Sequence, residues 1–183
     1  MTALRFALMI AVAALTASGQ QNSPQPSPPQ KDSIPASCPV TTRPVRPFIP
    51  PPEYRRTELP EHAFFIGTSD LFTILHEAMI WYWKPHSSGM ILTEKIFWYR
   101  QGYRWEQEPT PKIKVRGRRI DGPAPPLELP YGRPTHAIFS PDFSAMLTGV
   151  YVPVPGCWEI TGDYEGNKVS FVVWVEAAKP EKP

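Results

Sequence analysis

The chain has two cysteines and four histidines in 183 residues, and it lacks any apolar run of the roughly 20 residues needed to span a bilayer. Such a run would mark a transmembrane helix, so none is expected. Cys38 and Cys157 form no Cys-x-x-Cys pair and have no histidine beside them, which excludes a zinc centre built on closely spaced thiolates. Enzyme signatures are also missing. There is no Gly-x-Ser-x-Gly nucleophile elbow and no phosphate-binding Gly-Lys-Ser/Thr loop, and His76-Glu77-Ala78-Met79 only begins a His-Glu-x-x-His zinc helix. Charge of one sign is lacking too: 19 basic residues against 17 acidic give a formal charge of +2. That balance argues against a nucleic-acid partner. No cofactor and no catalytic residue is read from the sequence.

What is plentiful is proline, with 25 in the chain. Arg5 precedes an apolar run from Phe6 to Leu15, and small residues follow at Thr16, Ala17, Ser18 and Gly19. This is the pattern of a secretion signal over residues 1–19, with cleavage after Ser18 or Gly19. The exported chain would be periplasmic or extracellular. From Gln20 to Ala36 the composition is Pro, Gln and Ser, which builds no core and reads as a disordered spacer. Residues 37–60 read as an irregular arm, residues 61–176 as the folded domain, and residues 177–183 as a disordered tail. The arm's prolines also suit an aromatic groove, although a tether is the simpler role.

After Pro60 the texture changes to short aromatic and β-branched runs separated by Pro and Gly, the pattern of an all-β domain. Strands are predicted over Leu71 to Leu75, Met79 to Trp83, Met90 to Arg100, Lys112 to Arg116, Thr135 to Phe139, Ala145 to Val152, Cys157 to Tyr164 and Lys168 to Glu176. The only helix candidate, Asp70 to Met79, is weakened by Phe72, Thr73 and Ile74, which favour extension. Turn signals at Ser88-Gly89, Gln101-Gly102, Asp121-Gly122, Tyr131-Gly132 and Gly166-Asn167 separate the runs. Seven or eight strands at this spacing predict an immunoglobulin-like antiparallel β-sandwich.

In an oxidising compartment two cysteines pair, and closing a loop of about a hundred residues stabilises by roughly 4 to 5 kcal/mol. A Cys38–Cys157 disulfide is therefore expected. Alternation along Cys157 to Tyr164 puts Trp158, Ile160 and Tyr164 on one face and Cys157, Glu159, Thr161 and Asp163 on the other. The sulfur then points away from the core, toward an arm laid over the surface.

Trp98-Tyr99-Arg100-Gln101 is similar to the tryptophan strand of immunoglobulin variable domains, but the cysteines that family places on either side are absent. A wider resemblance runs from Cys38 to Val175. It rests on Pro155-Gly156-Cys157-Trp158-Glu159-Ile160-Thr161-Gly162, the strand Phe171-Val172-Val173-Trp174-Val175, the segment Gly117 to Leu127, Cys38-Pro39-Val40-Thr41, and Gly67 with Leu71. In these blocks the chain resembles uncharacterised exported bacterial proteins with an immunoglobulin-like sandwich. The resemblance implies the fold and brings no activity.

Three groups of residues are candidates for function. Trp98, Tyr99, Tyr103 and Trp105, with Trp81, Tyr82 and Trp83, are more aromatics than a small core requires, and exposed rings would stack on sugars or centre a protein interface. The competing reading is a strand buried on both faces. Along Lys112 to Arg119, alternation turns Ile113 and Val115 inward and Lys112, Lys114 and Arg116 outward. That basic stripe would meet an anionic envelope polymer or lipid head groups, or would guard an edge strand from self-pairing. His62, His76, His86 and His136, with Glu94 and Asp121, are the only material for a metal-dependent or hydrolytic site. A turn-stabilising role is the simpler account of Asp121. The reading that follows is a non-catalytic interaction module for an unknown protein or cell-envelope polymer. Its alternatives are a carbohydrate-binding module and a histidine/carboxylate enzyme.

Overall fold

A computed structural model describes residues 34–55, 59–83, 93–129, 135–140 and 143–177. The expected secretion signal, most of the spacer, His86, the Ser88-Gly89 and Tyr131-Gly132 turns and the tail beyond Ala177 lie outside them. The described residues are all-β. Nine strands run β1 Ala63–Thr68, β2 Leu71–His76, β3 Ile80–Trp83, β4 Glu94–Tyr99, β5 Lys114–Arg119, β6 Thr135–Ser140, β7 Phe143–Val150, β8 Gly156–Tyr164 and β9 Asn167–Ala177. They form a five-stranded sheet in the order β1-β2-β4-β7-β6 and a four-stranded sheet in the order β3-β9-β8-β5.

The all-β sandwich agrees with the sequence, and two details differ from it. The strands number nine, and β3 pairs with β9 in parallel whereas the other pairs are antiparallel. The unforeseen strand is β1. Its Ala63-Phe64-Phe65 run is buried on both faces, with Phe64 in the core between the sheets and Phe65 in a second cluster outside. A strand covered on both sides shows no alternation. The segment weighed as a helix is strand β2, paired along its length with β1.

Alternation holds on β8 and β9, which close on a two-residue turn at Glu165 and Gly166. Both have positive φ, the geometry that matches the twist of paired strands. Trp158, Ile160, Val173, Val175 and Phe171 are buried between the sheets. Gly162 also faces inward, and Trp98 of the opposite sheet lies directly on it: a Cβ added there would stand 2.5 Å from the indole. Gly162→Ala is expected to cost about 1 to 3 kcal/mol through overpacking, read as a lowered urea midpoint. An unchanged midpoint would show that the indole moves aside freely.

Residues ahead of β1 form a strap that crosses from one sheet to the other. At its start Cys38 is bonded to Cys157, with the two Cα atoms 5.6 Å apart. Cys157 belongs to the face of β8 turned away from the core, yet it is fully buried because the strap lies over it. Thr41 then hydrogen-bonds along β9: its N–H donates to the Val172 carbonyl at 2.9 Å, and the Val172 N–H donates to its Oγ1 at 2.8 Å. Arg43 reaches the first sheet, donating to Glu77 at 2.6 Å and to the Ala63 carbonyl at 2.8 Å.

Beyond Arg43 the strap covers the outer face of the five-stranded sheet. Phe48 and Tyr54 each lie with ring centroids 5.2 Å from Phe72, Tyr54 lies 5.5 Å from Tyr99, and Phe72 stacks on Tyr99. The Tyr54 hydroxyl donates to the Arg100 carbonyl at 2.7 Å. These side chains, with Phe65 and Ala145, make a second hydrophobic cluster that the sandwich alone would leave exposed. The strap is held by covalent, polar and apolar contacts together.

Candidate functional site

The aromatic group does not form a surface. Trp98 is fully buried, Tyr99 is 3% exposed and Tyr103 is 7% exposed, while Trp105 is half-buried against the main core. This corrects the expectation that they offer a binding platform. The cause is topological: β4 lies between β2 and β7, its inward side carries Trp98 onto Gly162, and its outward side carries Tyr99 beneath the strap. Trp81 and Trp83 turn inward and are half-buried on the core. Tyr82 (46%) and Phe97 (36%) remain exposed.

Tyr103 and Tyr164 anchor a polar cluster at the edge of the core. The Tyr103 hydroxyl donates to the Glu108 carbonyl at 2.7 Å, the Tyr164 hydroxyl donates to the Glu108 carboxylate, and Arg100 pairs with Glu165 at 2.7 Å while lying over the Tyr164 ring. Burial pushes the Tyr164 hydroxyl up to about 12, helped by Glu108, and burial with the charge of Glu53 does the same for Tyr54. Both folded-state values exceed the ordinary 10.0. Their contribution to stability is complete below that pH and is lost as pH rises through 12. The urea midpoint is expected to stay level up to about pH 9 and to fall steadily above pH 10, with unfolding releasing tyrosyl protons. A midpoint that held level through pH 12 would contradict this.

The described histidines, His62, His76 and His136, do not converge. His62 lies beside Glu61 at 3.3 Å and Glu77 at 3.5 Å at the start of β1. His76 ends β2 near Glu94, whose carboxyl burial keeps above its ordinary value against the hydrogen bond from the Lys95 amide. His136 is on β6, the opposite edge of the same sheet, roughly 14 Å and 19 Å of strand spacing from β2 and β1. Among the described residues no three His, Cys, Asp or Glu side chains come together to hold a metal ion. Asp121 pairs with Arg119 at 2.6 Å beside Gly156, the first residue of β8. Burial acts to raise its pKa, but hydrogen bonds from Arg119 and the Cys157 amide outweigh it and hold the carboxyl below its ordinary value.

The basic stripe keeps its exposure. β5 is an edge strand that starts at Lys114 rather than at Lys112; Ile113 and Val115 are buried, Lys114 and Arg116 are exposed on the outer face of the four-stranded sheet, and Lys112 is exposed just ahead of the strand. Strand register sets that face out in rows. Lys114 stands opposite Asp163, which stands opposite Lys168; Arg116 stands opposite Thr161, then Ser170; Arg118 stands opposite Glu159, then Val172. The two carboxylates have partners of their own, Glu159 with Arg118 at 2.6 Å and Asp163 with Lys168 at 3.8 Å. Lys112, Lys114 and Arg116 form no ion pair among the described residues. The Thr161 and Ser170 hydroxyls are 2.7 Å apart, hydrogen-bonded to each other. Thr161 was legible as an outward residue of its strand, but its place beside Arg116 depends on strand order, which alternation does not reveal. No family model, no curated protein and no solved structure matches the chain.

Proposed function

We propose that the protein is an exported, non-catalytic β-sandwich that binds an anionic partner in the cell envelope or outside the cell, through the outer face of its four-stranded sheet. The observation that carries this reading is the state of the cations. Arg43, Arg100, Arg118 and Arg119 are each tied to a carboxylate, whereas Lys114 and Arg116 on β5, and Lys112 just ahead of it, stand exposed without one among the described residues. Unpaired aligned charge stabilises an encounter with a polyanion and repels cationic surfaces. Export is supported by the signal pattern of residues 1–19 and by a disulfide whose two sulfurs are buried, as suits an oxidising compartment.

The test is a titration with two soluble polyanions, poly(glycerol phosphate) and poly-L-glutamate, at low salt. Binding to at least one is expected, weakening as salt rises, and Lys112→Gln/Lys114→Gln/Arg116→Gln should lose at least about tenfold in affinity with an unchanged melting temperature. Binding that survives the triple substitution, or no binding to either polymer, would overturn the proposal.

A further inference from the structure

The middle row of the basic face differs from its neighbours, and its composition points to a chemical class of ligand. Resting on the polyanion reading above, we infer that Arg116, Thr161 and Ser170 form a seat for a phosphodiester, with Lys114 and Lys112 engaging further phosphates of the same polymer. In the flanking rows the β8 residue is a carboxylate, Asp163 or Glu159, each neutralised by a cation. In this row it is a hydroxyl, and the next residue across is a hydroxyl too. Directly opposite side chains have Cβ atoms about 5 Å apart, so the guanidinium and both hydroxyls fall within the span of one bound group and its ester links.

The donor set favours a phosphate over a carboxylate. A planar carboxylate is satisfied by the two parallel N–H groups of a guanidinium fork and gains little from hydroxyls beside it. A tetrahedral phosphate keeps oxygens directed elsewhere after meeting the fork, and Thr161 and Ser170 are placed to donate to one. Their mutual hydrogen bond shows that both hydroxyls are turned into the row, and one of them can give up that bond to a charged acceptor. Thr161 is half-buried and Ser170 exposed, so the row is open from the solvent side. Along β5 the outward residues repeat every second position, about 7 Å, which lines up Arg116 and Lys114 for an extended chain of anions, with Lys112 exposed just ahead of the strand. Among the described residues the strap meets this sheet at Cys157 and Val172, and Arg116, Lys114 and Ser170 stay exposed.

The experiment measures affinity for poly(glycerol phosphate), poly-L-glutamate and phosphatidylglycerol vesicles in the intact protein and in Arg116→Lys and Thr161→Val/Ser170→Ala, with melting temperature as the folding control. The expected result is preference for the phosphate polymer. Thr161→Val/Ser170→Ala should lose roughly tenfold on that polymer and little on polyglutamate, because only the phosphate uses the hydroxyls, whereas Arg116→Lys removes the fork and should weaken both polymers. Hydroxyl substitutions without effect, beside a Lys112→Gln/Lys114→Gln/Arg116→Gln variant that loses binding, would overturn the seat and leave the polyanion reading standing. Polyglutamate bound as tightly as the phosphate polymer would also overturn the inference, as would binding to vesicles alone. No binding to any of the three would remove both the inference and the reading beneath it.

Discussion

Replacing Cys38 and Cys157 together by alanine is expected to lower the unfolding free energy by roughly 4 to 5 kcal/mol, the chain-entropy value for a bridge closing a loop of about a hundred residues. The bridge spans 119 positions and ties the strap to β8. Its effect should match the upper end of the range for one core truncation. Both sulfurs are buried, so the native bond is shielded from reductant until the strap lifts. Urea unfolding of the oxidised protein and the double variant measures the difference. A difference below about 1 kcal/mol would mean that the strap's other contacts hold it without the bond.

Tyr54→Ala is the second large expectation, at about 3 to 5 kcal/mol, the range for emptying a buried aromatic position. The ring touches Phe72 and Tyr99, and its hydroxyl reaches the Arg100 carbonyl. Tyr54→Phe should cost only about 1 kcal/mol, because it removes the hydrogen bond and keeps the ring. Together the two substitutions separate the strap's apolar contribution from its polar one. If Tyr54→Ala cost no more than Tyr54→Phe, the second cluster would be a loose cover and the five-stranded sheet would be stable without it. The Cys38/Cys157 pair and Tyr54 lie at opposite ends of the strap, too far apart to share partners, so their effects should add.

The four-stranded sheet was the more legible because β5, β8 and β9 have one face in the core and one turned outward. β8 shows it best: Trp158, Ile160 and Tyr164 alternate with Glu159, Thr161 and Asp163, and the buried set is the apolar one. The Cys38–Cys157 pairing followed from two cysteines in a chain expected to be exported, and the same alternation turned Cys157 outward toward the arm. β1 escaped because the strap buries its second face, and the strap's destination is encoded in Phe48 and Tyr54, whose partners Phe72 and Tyr99 are remote in sequence. Trp98 and Tyr99 looked like a surface for that same reason: aromatics on both sides of a strand mean an exposed platform or two covers, and only the three-dimensional arrangement distinguishes them. On the candidate site, Lys112, Lys114 and Arg116 could be placed outward from Ile113 and Val115 alone. Which carboxylates neutralise their neighbours, and which hydroxyls stand beside Arg116, depends on the pairing of β5 with β8 and of β8 with β9.

The claim that the outer face of the four-stranded sheet is the contact surface is tested most directly by amide chemical-shift mapping during titration with poly(glycerol phosphate). The perturbed amides are expected to cluster over Lys112 to Arg118, Thr161 and Lys168 to Ser170. Perturbations centred instead on Tyr82, on Phe97 or on the His62 and Glu77 corner, with the basic rows unmoved, would contradict it.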